Sequence, residues 1–364
     1  MRIHRASLRG SSRPVTPILI EFGTKTAKLD RMKRCVCSRA ACLLTGLWLS
    51  GFGPQARAAQ PVSAPTLYTG MSDASAGCAL GTNHFVVCDD ESNELRVYRR
   101  DAGGAPLQTY NFAGFLNLDP RHPETDLECA ARIGDSIYWM SSQGRNRTAK
   151  DRWNRHYFFA VKIEQGPRGF EFSPVGRPYH ELIADLVTAP QLRRFNLAAA
   201  ASRAPKDPQA LNIEGIAATP DRELLIGFRN PIPGGKALVV PLNNPQSVMQ
   251  GEKPRLGSPL LLDLEGLGVR DFALADGRWL IIGGPSSEGG PFKLFKWKGP
   301  GTEPNLIKHV KLKDFHAEAI IFYPDKGWRE FQLLSDDGSR LNHGVINKAL
   351  AYSQRQFRAV WVTP

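Results

Sequence analysis

The sequence predicts an all-β protein, a β-propeller. The first observation behind this is a hairpin frame that recurs along the chain. The second is a composition rich in turn formers, Gly 34 and Pro 27, which favours many short strands over long helices. The third is a pair of strand-like segments at the two ends of the body that could close a ring.

The frame comes first because repeats decide architecture. "DLECAARIGDSIYWMSS" runs from Asp126, "NIEGIAATPDRELLIGF" from Asn212, "VRDFALADGRWLIIGGP" from Val269 and "HAEAIIFYPDKGWREFQLLSDD" from His316. Each has an acid, an apolar run, a polar turn and a second apolar run, which is the pattern of a β-hairpin. The acids are Glu128, Glu214, Asp271 and Glu318. A fifth copy, "AGCALGTNHFVVCDDES" from Ala76, has Gly77 where the acid stands elsewhere. Further strand-like runs follow the hairpins ("NELRVYRR", "YFFAVKIE", "KALVVPL", "FKLFKWKG"), so each unit supplies three or four strands. The aligned positions lie 51, 86, 57 and 47 residues apart. A four-stranded blade takes about 40–50 residues. The long gap is filled by "HELIADLVTAPQLRRFNLAAAASRA", His180 to Ala204, which has helical periodicity. The expectation is five four-stranded blades, with room for a degenerate sixth, and a helical insertion after the second. "RQFRAVWVTP" is placed to close the ring against "PTLYTG".

Upstream of this body the chain reads differently. Residues 1–58 hold 11 Lys/Arg and 2 acids, a net +9 of the total +12. The near-balanced remainder lacks the footprint of a general nucleic-acid binder. From Met32 the sequence has a basic start (Lys33, Arg34), an apolar stretch (Ala40 to Phe52) and a small-x-small site at Ala56-Arg57-Ala58. Those are the parts of a secretory signal, and the apolar run is short for a membrane span. The expected organisation is an upstream extension without periodic pattern (1–31), a signal peptide (32–58) and one propeller domain (59–364). The protein is then exported, periplasmic or secreted, with no membrane span after cleavage and monomeric. The mature body keeps Cys78, Cys88 and Cys129, enough for one disulfide, and both Cys78–Cys88 and Cys78–Cys129 are open pairings.

The chemistry sits in the acids. The first strand of each propeller blade lines the central channel, so Glu128, Glu214, Asp271 and Glu318 converge on the axis. Carboxylates facing one another without water repel and their pKa values rise. A bound cation relieves this, as do hydrogen bonds to neighbouring inner strands. Four carboxylates with no Cys/His set suit Ca²⁺ rather than zinc or copper. A second set is basic: Arg145, Arg229, Arg270 and Arg340 fall at strand ends that share a rim, near Asp336 and Asp337. Arginine forks suit an anionic ligand, or pair with these acids as ordinary ion pairs. Trp139, Trp279, Trp297 and Trp328 fall in strand runs and read as packing between blades.

"LNIEGIA", "GFRNPIPGGKALVV", "GVRDFALADGRWLIIGGP" and "HAEAI" resemble the bacterial domain-of-unknown-function family 3616. The resemblance runs from about Ser75 to the C-terminus and implies a propeller of unassigned activity. More remotely, the "EG" and "LLSDDG" strands resemble exported phytase-like and esterase-like propellers. That likeness implies calcium-dependent phosphoester or ester hydrolysis at the level of fold only. Cys129 replaces the glycine that follows the acid, and Gly77 removes the acid from the first unit, so a full ligand ring is incomplete here. The expected function is a scaffold that binds a small anionic ligand or an envelope partner at an acidic axial site. The alternative is a metal-assisted hydrolase.

Overall fold

Each repeat folds as an antiparallel sheet, because its apolar runs are joined by turns short enough to pair neighbours in sequence. A computed structural model describes residues 60–287 and 289–364. The upstream extension and the signal-peptide reading (1–31 and 32–58) lie outside the described residues. The first strand is β1 (Thr66–Thr69). Blade 1 follows as β2 (Ala74–Leu80), β3 (His84–Asp89), β4 (Glu94–Arg99) and β5 (Gln108–Asn111), with the one-turn helix α1 (Ala113–Leu116) after it. Blade 2 is β6 (Leu127–Ile133), β7 (Ser136–Ser141), β8 (Phe158–Gly166) and β9 (Gly169–Tyr179). Helices α2 (Leu182–Thr188) and α3 (Leu197–Ala200) form the helical insertion expected after this blade.

Blade 3 is β10 (Asn212–Ala218), β11 (Leu224–Asn230), β12 (Ala237–Leu242) and β13 (Leu260–Leu262), with α4 (Pro245–Met249) before its last strand. Blade 4 is β14 (Gly268–Ala275), β15 (Arg278–Gly284), β16 (Lys293–Trp297) and β17 (Asn305–Leu306). Blade 5 opens with β18 (Ala317–Ile321) and β19 (Phe331–Ser335), passes through the small hairpin β20 (Leu341–Asn342) and β21 (Val345–Ile346), and continues with β22 (Gln356–Val362). Its outermost strand is β1, in the order β18-β19-β22-β1. Thr66 faces Ala359 and Tyr68 faces Phe357, so the two ends of the body close the ring as their sequences predict. There are five blades, and no sixth sheet of four strands among the described residues.

The five first strands β2, β6, β10, β14 and β18 each touch the first strands of both neighbouring blades and line the channel. The core lies between the blades, where apolar sheet faces stack. Two of the four tryptophans add directed contacts from blade to blade: Trp279 Nε1 donates to Ala218 O at 3.1 Å and Trp328 Nε1 to Ala275 O at 2.7 Å. Gly215 and Gly227 face each other across β10 and β11. A Cβ on either would lie 2.7 Å from Val269 Cγ1, so the missing side chains are what let blade 4 sit down on blade 3.

One irregularity recurs and sets the site. Every inner strand carries a β-bulge in its first half, and the residues left without a ladder partner are Ser75, Glu128, Glu214, Arg270 and Glu318. In blade 3 the partner strand skips Arg229 as well. A bulge re-aims its extra side chain and ends regular pairing.

Candidate functional site

The bulges define the ring at the start of the inner strands, and they correct the frame read from sequence spacing. The ring position in blade 4 is Arg270, not Asp271, and in blade 1 it is Ser75, not Gly77. The physical reason is register. The sequence frame is aligned on the acid; counted back from the hairpin turn (Gly81, Gly134, Pro220, Asp276, Pro324), the ring residue stands at one offset in all five units, and in blades 1 and 4 it is not an acid. Asp271, Cys129, Gly215, Ala319 and Ala76 share the place just after the bulge, where four of the five are small or thiol side chains.

On the side of blades 3 to 5 the ring is charge-compensated. Arg270 Nε lies 2.8 Å from Glu214 Oε2 and donates to Glu318 Oε2 at 2.9 Å, while its Nη2 bonds Glu318 Oε1. Arg229 Nη1 donates to Glu214 Oε1 at 2.7 Å, and Asn212 Nδ2 to the same oxygen at 2.8 Å. Both glutamates and Arg270 are buried to within a tenth of full burial. Burial pushes the Glu318 carboxyl up to about 7, although Arg270 beside it pulls the other way. Asp271 stands apart: its Oδ2 accepts the Ile320 N–H at 2.7 Å, and its Oδ1 is sealed from solvent without a hydrogen-bond partner.

The side of blades 1 and 2 is different. Asp73 precedes β2, Asp89 ends β3 with Asp90 just after it, and Asp126 comes just before β6, whose second residue is Glu128. Asp89 pairs with Ala74 and Leu127 with Ser141, so strand starts and strand ends meet at this end of the channel. Asp73, Asp89 and Asp90 each offer an oxygen within 4.8 Å of one another, and so do Asp90, Asp126 and Glu128. Asp90 belongs to both groups. Two of the oxygens, Asp89 Oδ2 and Asp90 Oδ1, are sealed from solvent and have no hydrogen-bond donor. Two arginines reach in from the edges: Arg96 Nη1 comes to 3.7 Å from Asp89 Oδ2, and Arg155 Nη1 donates to Asp126 Oδ2 at 2.8 Å.

The carboxyl groups respond as burial among like charges requires. Burial, then the charge of Asp336, pushes Asp73 up to about 8. Burial pushes Asp89 and Asp126 up to about 6, with Arg96 and Arg155 opposing. Asp90 goes well above the usual carboxylate range through burial and the charges of Asp73 and Glu128. Glu128 does the same through burial and Glu214.

The other sequence-predicted residues fall around this end. Arg145 is spent on backbone, Nε donating to Ala201 O at 2.7 Å and Nη1 to Ala149 O at 3.1 Å. Asp337 is clamped by Arg358, whose Nε and Nη2 donate to it at 2.8 and 2.6 Å. Arg340 is half-exposed and only 3.9 Å from Asp337. Asp336 accepts Gly338 N–H at 2.8 Å and bridges in register to Asp73. Ordinary ion pairing thus takes up Arg229, Arg270 and Asp337. Asp73, Asp89, Asp90, Asp126 and Arg155 were missed by reasoning from the inner-strand acids alone. The readable signal was "VVCDDES" and "TDLE", acids at a second-strand end and a first-strand start, which antiparallel pairing brings to one end.

The described cysteines form no disulfide; all three thiols are free. Cys78 faces Val86 while Cys88 faces Ala76, a diagonal of about 7–8 Å that exceeds disulfide reach. Cys129 shares its register place with Ala76 and not with Cys78. Cys88 Sγ instead donates to Leu127 O at 3.4 Å and Cys129 Sγ to Ile213 O at 3.7 Å, each reaching the next blade.

Residues 177–321 match the model of a family described as "Protein of unknown function (DUF3616)", which bears out the family resemblance over that stretch. The matched stretch contains Glu214, Arg229, Arg270, Asp271 and Glu318 and none of the blade 1 and 2 acids. No curated protein matches the sequence. Among solved structures, the chain is similar to the glutaminyl cyclase of Myxococcus xanthus at 10% identity, covering 83% of this chain and 97% of that one, with a TM-score of 0.42. It is similar to a putative oxidoreductase (glucose dehydrogenase) of Thermus thermophilus at 13% identity, 82% and 100% coverage and a TM-score of 0.41. A third is an exo-β-1,3-galactanase of Phanerochaete chrysosporium at 7% identity, 80% and 60% coverage and a TM-score of 0.44.

Proposed function

We propose that the protein is an exported ligand-binding propeller that holds Ca²⁺ at the blade 1 and 2 end of its channel. The observation that carries this is the pair of sealed, donorless oxygens, Asp89 Oδ2 and Asp90 Oδ1, inside two overlapping carboxylate groups. A buried carboxylate oxygen without a hydrogen-bond donor is costly, and an oxygen-only donor set is what a hard divalent cation takes. Asp73, Asp89, Asp90, Asp126 and Glu128 would hold it. Of the inner-strand acids first considered, Glu128 belongs to this set, while Glu214 and Glu318 already share Arg270. A bound cation would turn a repulsive mouth into an attractive one for an anionic group, such as a carboxylate or phosphate. Export is supported by the signal-like segment at 32–58.

The test is elemental analysis of purified protein, followed by calorimetric titration of the EDTA-treated protein with Ca²⁺ and Mg²⁺. Bound calcium and a clear preference for Ca²⁺ are expected. No bound metal, and no heat or thermal shift with either ion, would overturn the reading. Titration of the calcium-loaded protein with phosphate and phosphomonoesters separates the two functional forms: binding without turnover fits a binding protein, and release of phosphate fits the hydrolase.

A further inference from the structure

The far half of the channel holds a cavity whose lining includes none of the blade 1 and 2 acids. Beyond the bulges the inner strands enclose a cavity of about 510 Å³ that opens on the side of the first hairpin turns. Its size is that of an ordinary small-molecule pocket. Its walls are largely apolar: Ala79, Ala218, Ala273, Leu274 and Phe322 line it and keep exposed surface. The carboxyl group in this wall is Asp271. That residue is only 3% exposed, and its Oδ1 has no donor, while Oδ2 is held by the Ile320 amide. Arg270, its neighbour in sequence, turns away to Glu214 and Glu318. Two arginines, Arg132 and Arg222, stand on the lining, and Arg132 is tied by Nη2 to Ala79 O at 3.0 Å.

The geometry points to a binding site for a small amine with an apolar body, its ammonium at the Asp271 carboxyl, whose Oδ1 turns out of its sealed position to meet it, and its hydrocarbon along the channel wall. An apolar pocket with one convergent charge fixes a ligand by that charge and gains affinity from the wall. The ammonium supplies the donor that Oδ1 lacks, and an alcohol of the same length supplies a weaker one without charge. The two arginines oppose a second positive group, which favours a monoamine over a diamine. Burial and the charge of Glu318 hold the Asp271 carboxyl well above its usual range, as expected of a group short of a cationic partner.

The experiment uses the full chain, once in EDTA and once in saturating Ca²⁺, because the stripped acidic end is itself open to an ammonium. Hexylamine, 1-hexanol and 1,6-diaminohexane are titrated by calorimetry and thermal shift. Hexylamine should bind at least tenfold tighter than either of the others, and Asp271→Asn should bring it down to the level of hexanol. A second measurement on the unmutated chain covers the case in which that variant does not fold. Cys78 lines the same cavity and is half-buried. Its modification by methyl methanethiosulfonate, read peptide by peptide, should slow at least fivefold under saturating hexylamine. Equal binding of amine and alcohol, tighter binding of the diamine, an amine preference retained in folded Asp271→Asn, or unchanged Cys78 labelling would each overturn the assignment.

Discussion

The two sides of the axial ring solve one electrostatic problem in opposite ways. Around blades 3 to 5, Glu214 and Glu318 are buried and share Arg270; Arg229 and Asn212 donate to Glu214 Oε1, while its Oε2 has the Arg270 charge at 2.8 Å but no hydrogen-bond donor. Around blades 1 and 2, five acids meet; Arg96 and Arg155 approach them from the edge, and Arg355 and Lys348 stand near enough to feel Asp89 and the Asp73–Asp90 pair. The bulges are common to both sides, so backbone geometry does not make the difference. One substitution does: blade 4 places an arginine at its bulge where blades 2, 3 and 5 place a glutamate. The side with a cation at a ring position holds its acids closed, and the side whose cations stand at the edge is the one proposed for Ca²⁺.

The sharpest way to break that comparison is to remove the internal cation. Arg270→Ala leaves two buried glutamates uncompensated and should cost about 3–5 kcal/mol of unfolding free energy. Urea denaturation checks it. The triple change Arg270→Leu, Glu214→Gln, Glu318→Gln should recover much of the loss, since the penalty lies in the unpaired charges. If Arg270→Ala unfolds at the wild-type midpoint, the closed side is not held by its arginine. Next in size is Asp90→Asn. Asp90 belongs to both carboxylate groups, so the change should weaken Ca²⁺ binding about 100-fold, or about 2.7 kcal/mol. Calorimetry measures it, and Glu318→Gln serves as the control that leaves Ca²⁺ affinity within threefold.

How much of this was legible follows from the same bulges. The blades, the ring closure by "PTLYTG" and "RQFRAVWVTP" and the helical insertion follow from apolar periodicity, which a folded sheet obeys closely. The acids Glu128, Glu214 and Glu318 were readable as ring residues because each precedes its apolar run at the same offset. Asp271 lies one residue past the ring position and Gly77 two, because alignment on an acid overrides the constant distance to the turn where the ring residue is Arg270 or Ser75. Arg270 was visible as a neighbour of Asp271, but its role as the ring's internal cation needs the register. The acids of blades 1 and 2 lie at strand ends, and only pairing tells which ends meet.

Acidity should separate the two sides further. Asp73, Asp89 and Asp126 have carboxyls raised in the folded protein, to about 8, 6 and 6. A raised folded pKa gives stability that is full below the unfolded value near 4 and is lost as pH rises through the folded value. In EDTA the urea midpoint should therefore fall as pH rises from 5 to 8. Saturating Ca²⁺ should remove most of that fall, because the cation replaces the protons. A midpoint in EDTA that rises over this range would show that the acids of blades 1 and 2 are compensated from within after all.

The smallest expected effect is the most discriminating. Arg155 pairs with Asp126 and Glu124 and is mostly buried. If it is a structural counter-ion like Arg270, then Arg155→Met should lower stability and leave cation affinity alone. If the blade 1 and 2 side is built for a cation, Arg155 competes with that cation for Asp126. Arg155→Met should then lower the stability of the EDTA-treated protein by about 1 kcal/mol and tighten Ca²⁺ binding about threefold, near 0.7 kcal/mol. The two readouts move in opposite directions, which a general loosening of the fold cannot produce. The same pair of measurements on Arg229→Met, on the closed side, should show the stability loss alone.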